Sequence, residues 1–149
     1  MGWMRHWCAT IPALAALLAA PGGAAATPGT GVEAVTLSDS TAGGSHYVAK
    51  LLTIAPGGAT GWHFHPGNVF GVVRSGTLTH YRADCTVDGV YPTGSTITEA
   101  SGPGYVHEGR NEGTEPLVMW VLYANPADPP DLPLVVDAAD PGCRMPGAA

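Results

Sequence analysis

Residues 61–76 read GWHFHPGNVFGVVRSG. Side chains one residue apart along a strand share a face, so His63 and His65 direct both imidazoles to the same spot. Pro66-Gly67 turns the chain, an apolar run follows, and Gly76 closes the stretch. Two such imidazoles are either half of a metal site or a pair of hydrogen-bonded core histidines. No acid stands in the stretch to complete a ligand set. Some forty residues downstream, GPGYVHEGRN (102–111) supplies His107 just after a tight turn, with Asn111 four residues later.

The segments around this stretch read as short strands. HYVAKLLTIAPGG (46–58) is an apolar-rich alternating strand ending at Pro56-Gly57-Gly58, and TGWHFH (60–65) is a second, short one. NVFGVVRSG and TLTHYRAD (68–84) read as a hairpin turning at Ser75-Gly76. VYPTGSTITEA (90–100) gives one further short strand, and PLVMWVLYANP (116–126) an apolar strand stopped at Asn125-Pro126. No window of the mature chain has helical periodicity. Short strands at roughly ten-residue spacing, divided by Gly and Pro, predict an all-β sandwich or barrel.

Composition narrows the function classes. The chain has 149 residues, enough for one domain, and only 12% are charged, against a usual share of about 25%. A net charge of −6 with no Lys/Arg cluster argues against nucleic acid as a partner. Residues 1–26 carry Arg5, an apolar run from about Cys8 to Ala20, and small residues at Ala24 and Ala26, the order of a secretory signal peptide cleaved near Ala26. The apolar run is too short for a comfortable membrane span. The expected localisation is therefore secreted or periplasmic, with no membrane contact after cleavage. Residues 27–45 read as an N-terminal arm with a short strand near 32–37, residues 46–125 as the barrel, and residues 126–149 as a proline-rich tail. Export leaves Cys85 and Cys143 in an oxidising compartment, where they form one disulfide or stay as two free thiols. A bridge would tie ADCTVDG (83–89) to PGCRMPG (141–147), a tail with little else to hold it.

The two histidine segments together resemble the cupin superfamily. HFHPGNVFGVVRSG matches both histidines and the closing glycine of the family's first motif, and GPGYVHEGRN matches its second at Gly104, His107 and Asn111. Gly102 stands where the family has proline, and Thr96 where it has a leading glycine. The resemblance implies a small antiparallel β-barrel of the double-stranded β-helix, or jelly-roll, type. It also implies a divalent metal (Fe, Zn, Mn, Ni or Cu) held by His63, His65 and His107. The family's glutamate ligand falls at Val69, which cannot ligate; Asn68 beside it and Glu108 beside His107 should face away. The expectation is thus a three-histidine site with no protein carboxylate, more positive by one charge. Some cupin dioxygenases have such sites, and the ion's open positions would suit a small anionic molecule or hydroxide.

Two functions stay open: a metal-dependent enzyme on a small molecule, of dioxygenase or lyase type, or a non-catalytic module that binds a small molecule or a metal. A barrel whose histidines are only structural is the third. His80 and Tyr105 are the candidate acid–base groups, His80 competing with a place at the barrel rim and Tyr105 with a packing role. His46 reads as solvated. Trp62 and Phe64 should pack on the outer face, against a second sheet or a partner chain. Trp120, in a strand apolar on both faces, reads as buried or as part of a homodimer interface.

Overall fold

The computed structural model describes residues 27–144, so the leader reading lies outside the described residues. Ten strands follow in order: β1 (Thr30–Ala42), β2 (Ser45–Ala59), β3 (His63–Phe64), β4 (Asn68–Ser75), β5 (Thr77–Arg82), β6 (Val87–Pro92), β7 (Thr96–Glu99), β8 (His107–Arg110), β9 (Leu117–Pro126) and β10 (Val136–Asp137). Among the described residues there is no helix, and every strand pair is antiparallel. The strands run β10-β3-β8-β2-β9-β4-β7, with β1 on β2, and β5 between β6 and β8. Curvature brings the two ends of this path face to face, giving the expected all-β jelly-roll barrel.

The alternation of β9 shows how the core forms. Leu117, Met119, Val121, Tyr123 and Asn125 are buried, while Trp120 and Leu122 are exposed. On β4, Val69, Gly71 and Val73 point inward and Asn68 and Phe70 outward. Leu117, Met119, Val121, Tyr123, Val69 and Val73 join Val48, Ile54, Leu78 and Ile97 in one apolar cluster. The reading of Trp120 as buried is corrected. It is 48% exposed in the chain, and the Arg74 guanidinium lies 4.0 Å from its ring centroid. An apolar residue on the outer face of a strand carries no signal of its own for burial. Trp62, placed on the outer face by alternation, is itself buried at 3% exposure, and its carbonyl accepts from Ala138 of the tail.

Two connections also differ from expectation. β4 and β5 do not form a hairpin: β4 pairs with β7 and β9, and β5 with β6 and β8. Gly76 has φ 78°, and a Cβ there would meet Leu117 Cα at 2.9 Å, so the glycine makes a tight corner against β9 rather than a two-residue hairpin turn. The strand expected over 32–37 extends over all of β1, because Gly43 and Gly44, both at positive φ, turn it into a hairpin with β2.

Asn111 acts as a knot. Its Nδ2 donates to Ile54 O (2.9 Å) and Glu115 O (2.8 Å), and its Oδ1 accepts from Gly113 N (3.0 Å). It ties β2 to the β8–β9 turn. The tail is better held than its composition suggests. Cys85 and Cys143 form a disulfide across 58 residues, β10 pairs with β3, and Asn125 Nδ2 donates to Leu132 O and Pro133 O.

Candidate metal centre

His63 on β3 and His107 on β8 are direct cross-strand partners, which puts both rings on one face with centroids 4.4 Å apart. His65, two residues on, places its ring 4.8 Å from that of His63 and 5.1 Å from that of His107. All three are nearly fully buried. Each ring is oriented by a backbone carbonyl at its Nδ1: Gly61 O for His63 (2.8 Å), Leu134 O for His65 (2.7 Å) and Tyr105 O for His107 (2.8 Å). A carbonyl only accepts, so each Nδ1 carries a proton and each Nε2 is turned inward. His63 Nε2 and His65 Nε2 are 3.2 Å apart, and His107 Nε2 has no hydrogen-bond partner. Three converging Nε2 atoms are an arrangement a cation can bind; the carbonyl partners are the outer contacts metal-bound histidines ordinarily have. One ligand atom from each of the three lies within 4.8 Å of the others.

The sequence reading places no protein carboxylate beside the three histidines; the structure places Glu99 there. This residue ends β7 and is the cross-strand partner of Val69. Its Oε2 is 3.1 Å from His65 Nε2 and 3.5 Å from His107 Nε2. The sequence could not show this, since the acid lies 34 positions after His65 and only the β4–β7 register puts it at the site. Asn68 and Glu108 stay out, as expected: Asn68 Oδ1 accepts from Ser101 N, and Glu108 Oε2 accepts from Arg110 Nη1. His46, paired with Asp39 (2.8 Å), is remote from the cluster on the β1–β2 hairpin.

The rim position for His80 is corrected too. It is 1% exposed, with its Nε2 3.3 Å from Glu99 Oε1 and its Nδ1 3.1 Å from Asp88 Oδ2. The β5–β8 pairing sets it opposite Gly109, where a Cβ would come within 3.0 Å of Leu78 Cδ1. The Tyr105 ring lies 5.0 Å from that of His107, tilted by 50°, yet its hydroxyl donates to Asp88 Oδ2 (2.6 Å). Burial and that carboxylate push the phenol well above its ordinary range, so it holds its proton on Asp88 rather than offering it to the cavity.

The enclosed cavity measures about 50 Å³. Val69, Leu78, Ile97, Met119 and Tyr123 wall it apolar behind the histidines and Glu99. Burial, followed by the nearby His107 ring, lowers His63 to about 3. Burial works to raise Glu99, but the imidazoles of His107, His65 and His80 outweigh it and hold the carboxyl well below the ordinary range. Both shifts act in one direction. Between pH 6.5 and about 3 the unfolded chain takes up a proton at His63 that the folded chain refuses, and Glu99 adds to this below about 4.5. Metal-free protein should therefore hold full stability above pH 6.5 and lose on the order of a few kcal/mol as pH falls to 4. Urea midpoints measured in chelator across that range check this; a flat profile would contradict a neutral buried His63.

The profile of the family described as "Cupin domain" matches residues 50–123. No curated protein matches the chain in sequence. Among solved structures it is similar to the polyketide cyclase RemF from Streptomyces resistomycificus, at 21% identity over 77% of this chain and 79% of that one, with a TM-score of 0.59. A recombinant oxalate oxidase in complex with glycolate is 23% identical over 71% of this chain and 54% of its own, with a TM-score of 0.55. The complex of Rhodobacter sphaeroides SigE with the anti-sigma ChrR is 21% identical over 62% of this chain and 43% of its own, with a TM-score of 0.50. At these identities the likeness is one of fold, and it spans enzymes and a regulatory complex.

Proposed function

Because the chain belongs to the cupin superfamily and turns three imidazole Nε2 atoms toward one point, we propose that it binds one divalent metal ion through His63, His65 and His107. The observation that carries this reading is the 3.2 Å approach of His63 Nε2 to His65 Nε2 while each Nδ1 is engaged by a carbonyl. Such an ion acts as a Lewis acid toward an oxygen ligand or water placed against it. The chain's part is to keep the rings neutral and fixed, to exclude bulk water with its apolar wall, and to limit what enters. A cavity of about 50 Å³ is small beside the roughly 300–1,000 Å³ of drug-sized sites. It favours a partner of a few heavy atoms, an enzyme's small substrate in the first reading.

The alternative is non-catalytic capture of the metal or of a small ligand. The observation favouring it is that Tyr105 is committed to Asp88, which leaves His80 as the acid–base candidate at the wall. The Cys85–Cys143 bridge supports an oxidising, extracytoplasmic setting for either. Elemental analysis of the purified mature chain tests the shared premise. About one ion per chain is expected, with iron or copper pointing to redox chemistry and zinc to lyase or hydrolytic work. A chain that takes up no Fe, Zn, Mn, Ni or Cu after incubation with each would sink the proposal.

A further inference from the structure

We infer that Glu99 is the fourth protein ligand of the ion, supplied from β7 where β4 carries only Val69, and that His80 is the positioning residue that aims it. This rests on the three-histidine reading above and deepens it. Directly paired residues of an antiparallel ladder project from the same face with Cβ atoms roughly 4.5–5.5 Å apart. Val69 and Glu99 are such a pair, so the longer side chain at 99 reaches the space that a carboxylate at 69 would fill. The spacings fit one ion. Donor atoms bound at about 2.1 Å in tetrahedral or octahedral geometry stand roughly 3.0–3.4 Å apart. The observed approaches are 3.1 Å (Glu99 Oε2 to His65 Nε2), 3.5 Å (Glu99 Oε2 to His107 Nε2) and 3.2 Å (His63 Nε2 to His65 Nε2).

The other oxygen of Glu99 faces a different group. Oε1 lies 3.3 Å from His80 Nε2, a fully buried ring nitrogen with no hydrogen-bond partner of its own. His80 is held from behind by Asp88 Oδ2, on which the Tyr105 hydroxyl also converges, while Arg82 Nη1 stands 3.7 Å from Asp88 Oδ1 and its guanidinium lies over the Tyr105 ring. The chain Tyr105–Asp88–His80–Glu99 is thus a scaffold running from the half-exposed edge to the cluster. It assigns one carboxylate oxygen to His80 and leaves the other for the ion, in the way outer-shell partners orient ligating carboxylates.

Zinc affinity by chelator competition, with cobalt(II) absorption as a report on coordination, tests both parts in the full chain. Glu99→Gln should weaken zinc by at least tenfold and alter the cobalt(II) spectrum. The double variant Val69→Glu/Glu99→Val, which moves the carboxylate back to β4, should regain most of the affinity lost by Glu99→Val alone. His80→Gln should weaken zinc about 10–100-fold with stoichiometry kept, and should add nothing on the Glu99→Gln background, because it acts through Glu99. Wild-type affinity in Glu99→Gln, or a double variant no better than Glu99→Val, would overturn the ligand assignment. An undiminished His80→Gln penalty without the Glu99 carboxylate would overturn the positioning role. His107→Ala separates these from the underlying reading. If it alone abolishes binding, the three-histidine site stands and Glu99 is not in it; if it too binds zinc normally, the site itself is wrong.

Discussion

Replacing His107 by alanine is expected to remove metal binding altogether, with affinity falling well beyond the roughly 10–100-fold typical of losing an outer-shell partner. The expectation follows from where the residue sits. His107 is the member common to both donor groups of the barrel, His63–His65–His107 and His80–Glu99–His107, so its loss takes a donor from each. Its Nε2 is buried and unpartnered, and its ring is fixed by the Tyr105 carbonyl and by direct strand pairing with His63. The metal-free fold should suffer less. Truncating a buried large side chain ordinarily costs about 2–5 kcal/mol, but here one of three crowded imidazoles goes with it, which offsets part of the cavity cost. The measurement is a pair of thermal melts, with and without saturating zinc. Wild type should gain melting temperature with the ion, since a ligand that binds only the folded state stabilises it. His107→Ala should melt at one temperature in both conditions. A zinc-dependent rise in the variant as large as in wild type would refute the ligand set.

How much of this site the sequence discloses depends on sequence distance. His63 and His65 are legible because strand alternation fixes their relative direction within three residues, and His107 because its turn and spacing resemble a family motif. Glu99 is not legible. Its position opposite Val69 depends on β4 pairing with β7, and strand registers between distant segments leave no mark in either segment alone. The misread hairpin is related. Gly76 looks like a turn glycine, but the close approach of Leu117 makes it a corner between sheets, and a tertiary contact of that kind has no local signature. His80 reads as an edge-strand residue at the rim, but β5 is paired on both sides, with β6 and β8, and the residue lies inside. Trp120 illustrates the converse limit: in VMWVLY every residue is apolar, so the pattern names the strand but not its exposed face. The all-β class is legible because it rests on strand spacing and turn residues, which are local; the barrel type follows from the resemblance of the two histidine segments to a family.

Opening the Cys85–Cys143 bridge is expected to cost about 4 kcal/mol, the chain-entropy value for a closed loop of this size. For a domain of this length that corresponds to a fall in melting temperature on the order of 10–15 °C. The effect on the metal centre should be smaller, and the reason is in the tail. Leu134 O accepts from His65 Nδ1, so the tail orients one ligand of the proposed site. Yet that stretch is also held by Asn125 at Leu132 and Pro133, and by the pairing of Val136 with Phe64 and Asp137 with His63. These contacts survive reduction. The double variant Cys85→Ser/Cys143→Ser should therefore keep zinc at one ion per chain, with affinity lowered by less than about tenfold, below the range expected when an outer partner is lost outright. Melting temperature and zinc affinity measured on the same preparation separate the two effects. An unchanged melting temperature would show that the bridge constrains nothing the fold does not already hold, and a complete loss of zinc would show that the disulfide, not Asn125 and β10, keeps Leu134 against His65.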